Sequence, residues 1–137
     1  MSEPVLVRAK DVQDTKWPGG GRGKRLVYPR TAGSRNMIAG VIRVPPSLSP
    51  HRWHRHTVDK AEGYFVKYPR GFEEAYIIVR GNGVVLWKKG GRVRRRLLSE
   101  GDAVYFPPGI AENQVVNTGK KEMVLVYVGT PIPKVVA

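Results

Sequence analysis

The sequence predicts a single all-β domain of sandwich or barrel type. From Asn36 onward, short runs rich in β-branched and aromatic residues recur at roughly 8- to 12-residue spacing, separated by Gly, Pro and Asn. No segment shows a helical period with caps, and a chain of 137 residues fits one core.

The elements follow in order. Residues 1–35 read as an N-terminal arm, with short apolar stretches at Val5–Val7 and Leu26–Tyr28 on either side of WPGGGRGKR. That glycine run is not a phosphate loop, because Arg25 stands where the motif needs Ser or Thr after its lysine. It reads as a flexible or dimer-embracing basic arm. The barrel is expected over 36–130, from the runs NMIAGVIRV, EEAYIIVR, GVVLWKK, RVRRRLL, AVYF, NQVVN and EMVLVYV. Gly81-Asn82-Gly83 and Lys89-Gly90-Gly91 read as hairpin turns, which makes the sheet mainly antiparallel. Residues 131–137 form a tail. Arg92, Arg94 and Arg96 share one face of a strand, and a solvated, charged edge explains them.

Composition narrows the function classes. The chain has no cysteine, which excludes disulfides, thiolate metal sites and a cysteine nucleophile. The longest apolar runs, Ala75–Val79 and Met123–Val128, fall far short of the roughly 20 residues that span a bilayer. The N-terminus has scattered charges and no apolar core of a secretory signal, so cytoplasm is the expected compartment. Lys and Arg number 24 against 11 Asp and Glu, a formal charge of +13 that favours anionic partners. The basic residues are dispersed and lack interleaved stacking aromatics, which argues against nucleic acid. Six Asn and Gln together, with 11 Pro, also suit a thermophilic source.

The chemistry concentrates at PHRWHRH, which holds all three histidines, His51, His54 and His56. Residues two apart on a strand face the same way, so His54 and His56 are placed as paired imidazole ligands. His51 would face outward unless the chain bends at Pro50. Glu74 precedes Gly81 by six intervening residues, and Gly101, Pro107 and Gly109 frame GDAVYFPPG. With these residues the sequence resembles the cupin superfamily, whose motifs are G-x5-H-x-H-x3-4-E-x6-G and G-x5-P-x-G-x2-H-x3-N. The resemblance runs from Pro45 to about Val128. It implies a double-stranded β-helix, or jelly-roll barrel, with a metal site inside formed by the motif histidines and glutamate.

Departures from the motifs shape the expected site. Leu48 takes the first glycine slot, and 17 residues separate His56 from Glu74 where the family has three or four. This 57–72 insertion carries Tyr64, Phe65, Tyr68 and Phe72 and reads as a lid, a substrate wall or an interface hairpin. Glu112 fills the second-motif histidine slot, and the asparagine slot falls on Val116, one place before Asn117. The resemblance therefore implies one divalent metal per chain, Mn, Fe(II), Zn or Ni, on His54, His56, Glu74 and Glu112. If not a ligand, Glu112 is the candidate general base. Tyr76 is expected in the interior with Glu74, and so is Tyr105. The implied function is a metal-dependent oxygenase, isomerase or lyase acting on a small anionic or oxygenated molecule, as a homodimer with Val135-Val136 among its contacts. The alternative is a non-catalytic binding barrel without metal.

Overall fold

The computed structural model describes residues 3–51, 53, 58–61, 64–110 and 112–136. Among these, twelve strands account for nearly all regular structure: β1 (Thr15–Lys16), β2 (Arg22–Val27), β3 (Ile38–Val44), β4 (Val58–Ala61), β5 (Tyr64–Lys67), β6 (Glu73–Arg80), β7 (Gly83–Lys89), β8 (Arg92–Leu98), β9 (Ala103–Phe106), β10 (Asn113–Asn117), β11 (Met123–Thr130) and β12 (Lys134–Val136). Each of the seven β-type runs read from the sequence forms a strand. The helical content is a single turn, α1 (Pro29–Ala32), and a 3-10 turn at Ala9–Asp11.

The strands make three antiparallel sheets. The largest runs β1-β2-β3-β11-β6-β9, a second runs β10-β7-β8, and a third runs β12-β5-β4. Side chains alternate between faces of a strand, so the core strands each send one set into the interior. From the large sheet these are Ile38, Ile42 and Val44 of β3, Tyr76 and Ile78 of β6, and Met123, Leu125 and Tyr127 of β11, which join Val85, Leu98 and Val115 of the second sheet in one core. Each of these large apolar side chains contributes about 2 kcal/mol through its burial.

Two local expectations change and two hold once the tertiary pairing is known. Gly81-Asn82-Gly83 is not a hairpin turn: β6 lies in the large sheet and β7 in the second, so this turn is a corner that carries the chain between layers. Lys89-Gly90-Gly91 does close a hairpin, with Lys89 opposite Arg92. Tyr105 is 57% exposed and not interior, because β9 pairs with β6 so that Tyr105 lies opposite Ala75 while Phe106 lies opposite Glu74 on the inward face. The stripe Arg92, Arg94 and Arg96 sits on β8, an edge strand exposed from Arg92 to Leu97.

The segments at either end of the barrel are integrated with it. Within 1–35, β2 extends the large sheet by pairing with β3, from Arg22 opposite Arg43 to Val27 opposite Ala39. In the 57–72 insertion, β4 and β5 form a hairpin, and Val135 and Val136 of β12 pair with Val66 and Phe65 of β5 within the same chain. The insertion ends in the core: Phe72 is buried beneath Gly129, where a Cβ would meet its ring at 2.8 Å.

Candidate functional site

A cavity of about 610 Å³ lies against the large sheet. Its floor comes from the large sheet: Ile38 and Ile42 of β3, Glu74 and Tyr76 of β6, and Tyr127 of β11. Its walls come from Trp17, Arg25, Tyr28, Arg30, Thr31, His51, Tyr68 and Ile132. The pocket therefore uses the N-terminal segment as much as the barrel.

Local sequence explains how these groups meet. Glu74, Tyr76 and Ile78 alternate on the inward face of β6, and Glu74 is 8% exposed. Across the pair with β11, Glu74 faces Gly129 and Tyr76 faces Tyr127. On the other side of β11, Tyr127 faces Gly40 of β3, and a Cβ on Gly40 would come within 2.5 Å of the Tyr127 hydroxyl. The missing side chain at Gly40 is thus the space that the tyrosine occupies.

The N-terminal segment reaches the cavity through its glycines. Ser49 N–H donates to Gly19 O at 3.1 Å and Gly21 N–H donates to Ser49 O at 3.2 Å. A Cβ on Gly19 would collide with the Ser49 carbonyl, so only glycine permits this approach. The contact sets Trp17 edge-on to His51, with ring centroids 5.0 Å apart. Arg25 lies over the Trp17 ring at 5.1 Å and the Tyr28 ring at 6.0 Å. The Tyr28 and Tyr127 hydroxyls are hydrogen-bonded at 2.8 Å. Burial first, then the neighbouring Tyr28 hydroxyl and the Glu74 carboxylate, raise the Tyr127 phenol well above its ordinary 10.0, with Arg25 acting in the opposite direction. Tyr127 is therefore a neutral hydroxyl at any physiological pH.

The expected ligands are distributed unevenly over this frame. Glu74 and His51 line the same cavity. The chain turns at Pro46-Ser47 and bends at Pro50 and His51, and the His51 side chain is 9% exposed at the wall. His54 and His56 lie outside the described residues. Glu112 is not among the cavity-lining residues. Its carboxylate accepts from Lys88 Nζ at 2.8 Å, and its carbonyl accepts from the Lys88 backbone N–H at 3.0 Å.

Strand phase accounts for the position of Glu112. Asn113, Val115 and Asn117 are buried along β10, while Gln114 and Val116 alternate on the other face. The family motif sets its histidine and asparagine four apart, and Asn113 and Asn117 are the four-apart pair on the inward face. The chain is thus one residue longer after Gly109 than the motif. A one-residue slip moves every side chain to the opposite face, which puts Asn113 inward and Glu112 beside Lys88. Asn117 is wholly buried and structural: its Nδ2 donates to Val44 O and Lys121 O, both at 2.8 Å, and its Oδ1 accepts from Gly119 N–H at 2.9 Å.

The donor chemistry at this wall suits a divalent cation, with a buried carboxylate and an imidazole on one cavity. Among the described residues, no group of three or more His, Cys, Asp and Glu side chains comes together.

No family model matches the sequence, and neither does any curated protein. Solved structures do match. A predicted oxalate decarboxylase from Thermotoga maritima aligns with a TM-score of 0.64 at 18% identity, over 93% of this chain and 100% of that one. A sugar phosphate isomerase of the cupin superfamily from Silicibacter pomeroyi aligns with a TM-score of 0.67 at 18% identity, over 93% and 76%. A Cupin 2 conserved barrel domain protein from Salinispora arenicola aligns with a TM-score of 0.59 at 22% identity, over 94% and 88%. Identity at this level speaks for architecture alone, and the architecture is common to all of them: this chain folds as a small cupin barrel.

Proposed function

We propose that the chain is a metal-dependent cupin enzyme acting on a small anionic molecule, with His54, His56 and Glu74 holding one divalent cation and His51 standing at the same wall. The observation that carries this reading is Glu74, a carboxylate 8% exposed that lines the same cavity as the His51 imidazole. A buried carboxylate is a strong oxygen donor for a divalent cation. When bound, such a metal supplies Lewis acidity toward a carbonyl or carboxylate oxygen.

The chain's own residues set up the rest of the reaction. Arg25 and Arg30 give the cavity two guanidinium groups against the one carboxylate of Glu74, a balance that attracts anions. Oxalate and sugar phosphates, named for two of the similar structures, are both anions. The Tyr28–Tyr127 pair offers hydroxyl hydrogen bonds that stay neutral across physiological pH. Glu112, engaged by Lys88, stays outside the proposed ligand set.

One observation favours a second reading, a binding barrel without metal. Asn113 holds the inward position of β10 where the family pattern has a histidine, and a neutral carboxamide is a poorer ligand than imidazole. Elemental analysis of untagged protein separates the two. Near-stoichiometric metal, lost in His54→Ala, His56→Ala and Glu74→Gln, supports the enzyme reading. No metal as purified, and none after anaerobic loading with Fe(II), Mn or Zn, overturns it in favour of the binding barrel.

A further inference from the structure

The composition of the cavity wall narrows the ligand beyond "small anion". A cavity of about 610 Å³ lies in the range that encloses a molecule of drug size. Oxalate would leave most of it to water. The wall carries Trp17, Tyr28, Tyr68, Tyr76 and Tyr127 with Ile38 and other aliphatic groups, a surface that stacks on rings. Much of the lining is ring and aliphatic surface, which suits an aromatic ligand better than a polyhydroxylated sugar.

Charge gives the remaining constraint. Two guanidiniums and one carboxylate leave the described lining one positive charge in excess, however these three groups pair among themselves. The excess is carried by the N-terminal segment. Arg25 stands inside, over Trp17 and Tyr28. Arg30 is exposed on α1 at the rim, and its side chain makes no ion pair with another described residue.

We propose that this cavity binds an aromatic monocarboxylate, its ring held among Trp17, Tyr28, Tyr76 and Tyr127 and its carboxylate drawn to Arg25 and Arg30. The proposal rests on the cavity being the substrate site of the function proposed above, and it makes the N-terminal segment the determinant of specificity. Guanidinium and carboxylate are planar and pair through two parallel hydrogen bonds, so the arginines orient the ligand as well as attract it.

The test is calorimetric titration of the full chain with 2-naphthoate, uncharged 2-naphthamide and oxalate. The expected result is one 2-naphthoate per chain, with 2-naphthamide and oxalate each at least about tenfold weaker. Arg30→Gln weakens 2-naphthoate by about fivefold and Arg25→Gln by about tenfold or more, while 2-naphthamide changes little. Arg25 packs on two rings, so its variant is compared with Arg25→Lys by circular dichroism; Arg30, exposed at the rim, tests the charge without that concern. Equal affinity for 2-naphthamide, or 2-naphthoate affinity unchanged in both variants, overturns the charge assignment. Oxalate as tight as 2-naphthoate overturns the aromatic assignment. Metal content measured on the same samples keeps the readings apart: arginine-dependent 2-naphthoate binding without metal sustains this inference and defeats the metalloenzyme, and bound metal without 2-naphthoate binding does the reverse.

Discussion

The hydroxyl of Tyr28, from the N-terminal segment, stands 2.8 Å from that of Tyr127 in the middle of the large sheet, so one hydrogen bond joins the two parts of the chain that build the cavity. Either hydroxyl can donate in it, and Tyr127 is held protonated by its burial.

The burial of Tyr127 predicts a specific alkaline behaviour. The folded state holds the Tyr127 proton well above the ordinary value of 10.0, while the unfolded chain releases it near that value. Below pH 10 both states are protonated and the contribution is fully present. Above it the unfolded state binds fewer protons, so stability falls by about 1.4 kcal/mol per pH unit from this group. Denaturant melts of wild type and Tyr127→Phe between pH 8 and 12 check this. The wild type should decline more steeply above pH 10, and parallel curves would refute the assignment.

Gly40 makes room for the same tyrosine. A Cβ there would come within 2.5 Å of the Tyr127 hydroxyl and press on the Lys24 carbonyl, and neither is the free end of a mobile side chain. Gly40→Ala is expected to cost about 2 kcal/mol or more, at the upper end of what overpacking usually costs. Urea denaturation measures it, and a loss below about 0.5 kcal/mol would mean that the sheet accommodates the methyl group.

The strands were legible because their signals are local: runs of β-branched and aromatic residues bounded by turn residues mark β3 and β6 to β11 directly in the sequence. The corner at Gly81-Asn82-Gly83 was not, since a glycine turn looks the same whether it folds a strand back or sends it to another sheet. Tyr105 failed for a related reason, as its face depends on register with β6. At the site, Glu74 was identified from motif spacing and lies on the cavity floor. Trp17, Arg25, Tyr28 and Tyr127 were missed because their meeting depends on β2 pairing with β3, a contact with no local signature. Two traces were available in retrospect: Gly40 interrupting an apolar strand, and the three glycines after Trp17-Pro18, each marking close backbone approach.

Asn117 should be a stability residue with no role in the cavity. Its carboxamide satisfies two carbonyls and one N–H around the β10–β11 turn, with no exposure to solvent. Asn117→Ala leaves buried backbone groups unpaired and should cost about 3 kcal/mol. Asn117→Asp keeps the acceptor but turns an ionised oxygen toward the Val44 and Lys121 carbonyls, so it should be worse than alanine at neutral pH and recover on acidification, when the carboxyl can donate. Thermal melts at pH 7 and pH 4 distinguish the two variants. Equal stability of Asn117→Asp and wild type at pH 7 would contradict the donor assignment.

Glu112 gives the sharpest contrast between motif spacing and strand phase. Counted from Gly109 it occupies a ligand position, yet in the fold its carboxylate meets Lys88 at 2.8 Å, with both side chains substantially exposed. An exposed pair of this kind contributes about 0–1 kcal/mol. Glu112→Ala should therefore fold with near wild-type stability, and any metal bound by the wild type should stay at the same stoichiometry and affinity. Glu74→Gln, which replaces a buried carboxylate on the cavity floor by a carboxamide, should lose it. Asn113→His supplies the complementary measurement: placing an imidazole on the inward face of β10 should tighten metal binding if that face points to the site. Loss of metal from Glu112→Ala, together with no gain from Asn113→His, would show that the glutamate reaches the metal and that spacing, not strand phase, identifies the ligand.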